Sequence, residues 1–251
     1  MKVKSIKCLV VSIVVLFNMY CGPAFANTWF TTVDLSAYQN AKIQERSGGG
    51  TFADFPLGAV GLGGVPFYIP AQGNNEWRRG GGSDHDGEIA VLNIPVNQFG
   101  AKAAYTLIDT DWGTASSGYM LIEFFGSNGA YASKDLIGNS DMRDWNLYPL
   151  FTTQINGTTS RNVWHNDNGD DGNPDVVDMQ TYVLPADFQN QVLTSIRITD
   201  HRQVFVHSGI LSGITVSDTI VVPEPATLFL LTLGGLLLRK RKPQIPQITL
   251  K

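Results

Sequence analysis

The chain has 251 residues, 43% hydrophobic and 16% charged, with a formal net charge of −4, a length that suits one well-cored domain plus terminal segments. Of its 18 Lys and Arg residues, three precede residue 27 and five lie from Arg239 onward, so residues 27–221 hold ten basic against 21 acidic groups, a net charge near −11. A domain this acidic, with no basic patch, excludes nucleic acid as a partner, and with both cysteines at positions 8 and 21 it can form neither a disulfide nor a thiolate metal site.

The chain opens with Lys2, Lys4 and Lys7, an apolar run over 8–17, and Ala24-Phe25-Ala26. A basic start, a short apolar helix and small residues at the −3 and −1 positions predict a signal peptide over 1–26 and a mature chain that begins at Asn27. The apolar run falls short of the roughly 20 residues a spanning helix needs.

From residue 27 helical periodicity is nearly absent. Short β-branched and aromatic runs alternate with Gly, Asn, Asp and Ser clusters, which predicts an all-β sandwich or barrel. Strands are expected over 28–38, 66–70, 89–94, 104–112 and 119–125, then over 130–137, 147–155, 179–184, 193–199, 203–207 and 210–216. Gly126-Ser-Asn-Gly129 is the expected hairpin turn between two of them. The glycine runs at 47–50 and 80–83 read as loops, because strand-like sequence resumes after each. Long irregular connections favour a jelly-roll β-sandwich over an up-and-down barrel.

Two constellations carry candidate chemistry. Counting Asp167 as position 1, carboxylates fall at 1, 5, 9 and 12 (Asp167, Asp171, Asp175, Asp178), with Gly172 at position 6. That is the spacing with which an oxygen-rich loop wraps calcium. Position 3 is Gly169, position 12 is Asp and not the usual Glu, and a strand follows where a helix would be expected. The same composition also describes a solvated acidic turn. The second constellation is Trp112, Trp145 and Trp164 in or beside polar loops, with Arg143 and Tyr148 close by in sequence. Aromatic faces with a few directional polar groups are what a sugar site requires, although each tryptophan would equally serve as packing. Asp109 and Asp111, spaced like an acid–base pair, read as a solvated strand face and not as a glycosidase centre. No residue is assigned a catalytic role: the histidines lack HExxH-type spacing, and no nucleophile elbow or P-loop is present.

The far end of the chain is more specific. Val222-Pro223-Glu224-Pro225 precedes an apolar run over 226–238, and Arg239-Lys240-Arg241-Lys242 follows. The prolines stop a helix from entering the domain, and the basic cluster would hold the helix end on the cytoplasmic side. At 13 residues the run spans roughly 20 Å as a helix, so flanking side chains must snorkel or the bilayer must thin. This order of elements resembles the PEP-CTERM sorting signal of exported Gram-negative proteins. The resemblance implies a third segment, 222–251, acting as a sorting signal with a membrane helix. It also implies an exosortase-like protease as partner, and a route from the inner membrane to the cell envelope or extracellular matrix. The residues from Pro243 to the end trail the usual limit of such a signal.

At the domain level, Val65-Pro66-Phe67-Tyr68-Ile69-Pro70, Val91-Leu92-Asn93-Ile94-Pro95-Val96, the strand from Ala103 to Thr110, Asp144-Trp145 in a loop, and the late strands at 193–198 and 210–216 follow the order of the galactose-binding-like jelly rolls found beside carbohydrate-active enzymes. What that resemblance implies is a non-catalytic, polysaccharide-binding envelope or matrix protein, with exopolysaccharide as ligand. A structural or adhesive surface protein without a small ligand, and a secreted glycoside hydrolase, are the alternatives.

Overall fold

The computed structural model describes residues 28–46, 51–79, 89–113, 120–169, 172–201 and 208–221. The expected signal helix, the hydrophobic helix over 226–238, the 203–207 strand and Asp171 lie outside the described residues. No helix among the described residues is long and apolar enough to cross a membrane.

The described residues form twelve strands: β1 (Phe30–Thr32), β2 (Gly58–Leu62), β3 (Val65–Ile69), β4 (Trp77–Arg78), β5 (Ala90–Phe99), β6 (Ala103–Asp111), β7 (Met120–Gly126), β8 (Tyr131–Leu136), β9 (Ser160–Asn166), β10 (Asp175–Val183), β11 (Val192–Asp200) and β12 (Ser208–Ser217). One sheet runs β1-β12-β6-β10-β9, with β4 also paired to β12; a second runs β5-β11-β7-β8; and β2-β3 form a separate hairpin. All pairings between strands are antiparallel. The chain changes sheet at each step from β5 to β6 and from β6 to β7, and again from β8 to β9, from β10 to β11 and from β11 to β12.

The burial patterns explain the layering. In β7, Met120, Ile122 and Phe124 are buried, and in β11 Ile196 and Ile198 are buried while Arg197 faces out; a register shift between Leu193 and Ser195 keeps Leu193 inside as well. This period-2 alternation belongs to a sheet with one wet face. In β12 all ten residues are buried, and in β6 the first eight are. Such runs require cover on both faces. One face of the central sheet packs on the second sheet around Ile94, Ile108, Phe124, Phe188, Ile196 and Leu211. The opposite face is covered by the β2–β3 hairpin and the segment before it, through Ile43, Phe52, Val65, Phe67 and Ile69 against Tyr105, Leu107, Val177 and Met179. The all-β sandwich therefore has two cores, one on each side of its central sheet.

The expected hairpin turn is present: the Gly126 N–H donates to the Ala130 carbonyl at 2.8 Å, and Gly129 takes φ 85°, a value glycine adopts without cost. Three expectations need correction. The first strand spans Phe30–Thr32 and not 28–38, because residues after it turn at 36–38. No strand forms over 147–155: Pro149 has no N–H to give a ladder, and the segment folds into tight turns with Leu150 exposed. Strands β2, β4 and β9 were not foreseen; Gly58 and Gly61 dilute the signal of β2, β4 is two residues long, and Arg161, Asn162, His165 and Asn166 give β9 a polar composition.

Candidate functional site

The site forms where two neighbouring strands of the central sheet separate. Strands β6 and β10 are paired from Ala103↔Val183 to Leu107↔Met179. Beyond that point side chains replace the ladder. Gln180 accepts the Ile108 N–H at 3.0 Å and donates to the Ile108 carbonyl at 2.8 Å, and Asp109 accepts the Asp178 N–H at 3.0 Å. The connection that follows β8 then enters the gap. Thr110 bridges Asp144 in parallel, and Asn146 bridges Asp175 in antiparallel fashion. The Trp145 N–H donates to the Thr110 carbonyl at 3.0 Å, and the Val176 N–H donates to the Trp145 carbonyl at 2.8 Å.

This wedge leaves a cleft of about 350 Å³ lined by Asp111, Trp112, Asp144, Trp145, Asn146, Tyr148 and Phe151. Trp112 is 47% exposed and Tyr148 39% exposed. The Trp112 and Phe151 rings lie nearly parallel, 10° apart with centroids at 6.2 Å, and Tyr148 leans on Phe151 at 5.8 Å. Trp112 holds φ 58°, a left-handed conformation that is costly for a bulky residue and is retained where surrounding structure imposes it. Here the imposing contacts are those that tie the next residue down: the Gly113 N–H donates to Asp144 Oδ2 at 3.1 Å, and the Thr152 N–H donates to the Gly113 carbonyl at 3.1 Å.

Two carboxyls form the polar floor. Asp111 Oδ1 accepts the Trp145 indole N–H at 3.1 Å, and its Oδ2 takes no hydrogen bond from any described residue. Burial pushes Asp111 above the usual carboxylate range. Asp144 is pushed up to about 7 by burial, and the Asp111 charge adds to the rise, while the N–H groups of Asn146, Gly113 and Trp112 pull the other way. Trp145 is itself buried, edge-on to Phe52 at 5.7 Å. It anchors the wedge to the outer core and lends its N–H to Asp111.

Behind the cleft lies a buried charge network. Arg46 donates to Glu76 Oε2 at 2.9 Å, to Asp109 Oδ2 at 2.8 Å and to Ser212 Oγ at 2.8 Å. Arg78 donates to Glu76 Oε1 at 2.6 Å. Arg143 grips Asp178 with two bonds of 2.6 and 2.8 Å. Burial pushes Asp109 up to about 7, against the pull of Arg46.

Of the five residues expected to hold a sugar, the structure brings Trp112, Trp145 and Tyr148 into one cleft. Arg143 is turned away to Asp178. Trp164 belongs to the outer core, packed between a tilted Phe52 at 4.9 Å and an edge-on Phe55 at 5.4 Å. The residues that sequence reasoning left out are Asp144, Asn146 and Phe151. Their signal was the density of aromatic and Asx residues around Pro149, which a strand reading of 147–155 obscured.

Of the expected calcium ligands, Asp167 sits in the β9–β10 turn, while Asp175 and Asp178 are buried within β10. Both Asp178 oxygens are taken by Arg143, and Asp175 Oδ2 accepts the Thr51 hydroxyl. Among the described residues, no three His, Cys, Asp or Glu side chains converge on a metal position.

Against known protein families, residues 221–242 match the PEP-CTERM protein-sorting motif. This chain carries a PEP-CTERM sorting signal. The signal is recognised by exosortase, and it marks an exported protein that is anchored in the membrane before processing. No curated protein and no solved structure matches the chain. The PEP-CTERM match begins at Val221, whose N–H donates to the Tyr105 hydroxyl at 2.7 Å. The signal therefore leaves the domain from a fixed point on the central sheet.

Proposed function

We propose that this chain is a non-catalytic polysaccharide-binding protein of the cell envelope or extracellular matrix, delivered there by its PEP-CTERM signal, and that its ligand is an exopolysaccharide held in the Trp112–Tyr148 cleft. The observation that carries this reading is an exposed aromatic wall standing over an open carboxylate oxygen, with the wall's principal residue kept in a strained backbone conformation. Sugars stack their C–H faces on such rings and give their hydroxyl protons to such an acceptor. A jelly-roll description of the domain is favoured by the strand orders β1-β12-β6-β10 and β5-β11-β7-β8, with successive strands crossing between the sheets.

The test is affinity electrophoresis and calorimetry on a panel of purified polysaccharides. Trp112→Ala and Tyr148→Ala should each weaken binding about tenfold, which is about 1.4 kcal/mol, with little change in melting temperature because both rings are largely outside the core. A panel in which no polysaccharide binds, or variants that bind as well as the parent, would leave a structural surface protein as the better reading. The pair Asp111 and Asp144 in one cleft is the observation that favours a hydrolase as the second reading. Release of reducing ends from a bound polysaccharide, abolished by Asp111→Asn, would establish it.

A further inference from the structure

The cleft's charge says which kind of sugar it suits. Among the described residues, its lining holds Asp111 and Asp144 and no cationic side chain. The nearby guanidiniums are committed elsewhere: Arg46 to Glu76 and Asp109, Arg78 to Glu76, and Arg143 to Asp178. Asp111 thus has no ion-pair partner among the described residues, although the charges of Arg78 and Arg46 reach it, and it shares the cleft with the Trp112 and Tyr148 rings. Ring faces are negative and attract cations within about 6 Å of their centroids, so wall and floor favour the same sign of ligand charge. A uronic acid would bring a carboxylate against Asp111 and Asp144. An ammonium would form a charge-assisted bond, roughly twice as strong as a neutral one.

Resting on the polysaccharide reading above, we propose that the ligand is a de-N-acetylated amino-sugar polymer, whose ammonium group sits on Asp111 Oδ2 beneath the Trp112–Tyr148 wall. An ammonium there balances the Asp111 carboxylate, while Asp144 beside it is already held by the N–H groups of Asn146 and Gly113. An N-acetyl group offers the same N–H without the charge and adds a carbonyl that the floor repels.

The experiment is calorimetry on the full-length chain at neutral pH and moderate salt, with three probes: a β-linked glucosamine tetramer, its fully N-acetylated counterpart, and a galacturonate tetramer. The glucosamine tetramer should bind about tenfold more tightly than the acetylated one, and the galacturonate weakest. Asp111→Asn keeps an acceptor for the Trp145 N–H, so the fold is retained, and it should erase the preference for glucosamine over its acetylated form. Equal or tighter binding of the acetylated or galacturonate probe overturns the charge assignment while the glycan reading stands. Glucosamine binding that survives Trp112→Ala with Tyr148→Ala overturns it too, as adsorption to an acidic surface. Failure of all three probes to bind overturns the amino-sugar proposal, and polysaccharide binding in the panel above then decides separately whether the glycan reading survives.

Discussion

Replacing Arg46 with methionine keeps an unbranched apolar stem in place and removes one buried charge. The Arg46 side chain is fully buried, as are those of Glu76 and Asp109, its two carboxylate partners; its guanidinium also lies 5.1 Å from the Phe52 ring centroid. Without it, Asp109 loses its cation and Glu76 keeps only Arg78. Removing one member of a buried pair costs about 3–5 kcal/mol, because the remaining charge is left uncompensated. For a domain of this size each kcal/mol lowers the melting temperature by roughly 2–4 °C, so Arg46→Met should melt about 6–20 °C below the parent in calorimetry. The origin of the loss can be separated from lost packing. If it is unpaired charge, the triple variant Arg46→Met, Glu76→Gln, Asp109→Asn should recover most of the lost stability, since neutral replacements of buried ion pairs are often tolerated. A single variant within about 1 kcal/mol of the parent, or a triple variant no more stable than the single one, would refute this account.

Three further outcomes follow from the site. In Gly113→Ala the new Cβ would lie 2.2 Å from Thr110 Oγ1 and 2.5 Å from Thr152 Oγ1, so the wedge must move off β6; polysaccharide binding should fall at least as far as in Trp112→Ala, although Gly113 does not line the cleft. Asp144, pushed up to about 7, keeps a proton that the unfolded chain releases near 3.9; its stabilising contribution is complete below about pH 4 and is lost as pH rises through 7. Between pH 5 and pH 8 the parent should therefore lose roughly 2–3 kcal/mol relative to Asp144→Asn, read from urea unfolding at each pH, and parallel profiles would contradict it. With Asp178 committed to Arg143, millimolar calcium should leave the melting temperature unchanged; a rise of several degrees that Asp171→Ala removes would identify the acidic loop as a calcium site.

Local pattern made most of the fold legible. Strands such as β3 and β5 alternate between buried and exposed positions, and the Gly126–Gly129 turn carries its own chemistry. The sorting signal was legible for the same reason: its order of prolines, apolar run and basic cluster is local. Less could be read where a residue's neighbour is distant in sequence. Arg143 and Tyr148 are five residues apart, yet one is drawn inward by Asp178 and the other stays outside. Trp145 and Trp164 both look like loop aromatics, but Phe52, nearly a hundred residues earlier, packs against both. Double-sided burial of β6 and β12 depends on the β2–β3 hairpin, whose own signal is weak. The Arg143–Asp178 pair was hidden for a similar reason, since a spacing rule cannot show which carboxylate has a partner elsewhere.

Strand β6 relates the cleft to the sorting signal. Near its start, the Tyr105 hydroxyl accepts the Val221 N–H and donates to the Thr219 carbonyl at 3.2 Å, which fixes where the chain leaves for the membrane. Near its end, Asp111 and the wedge behind Thr110 form the cleft. Six residues of strand separate Tyr105 from Asp111, about 20 Å at the rise of an antiparallel strand. The two ends of one rigid strand thus hold the tether and the cleft apart. Release at the sorting signal would then leave the cleft unaltered, because its described lining ends at Phe151 and the last described strand closes at Ser217.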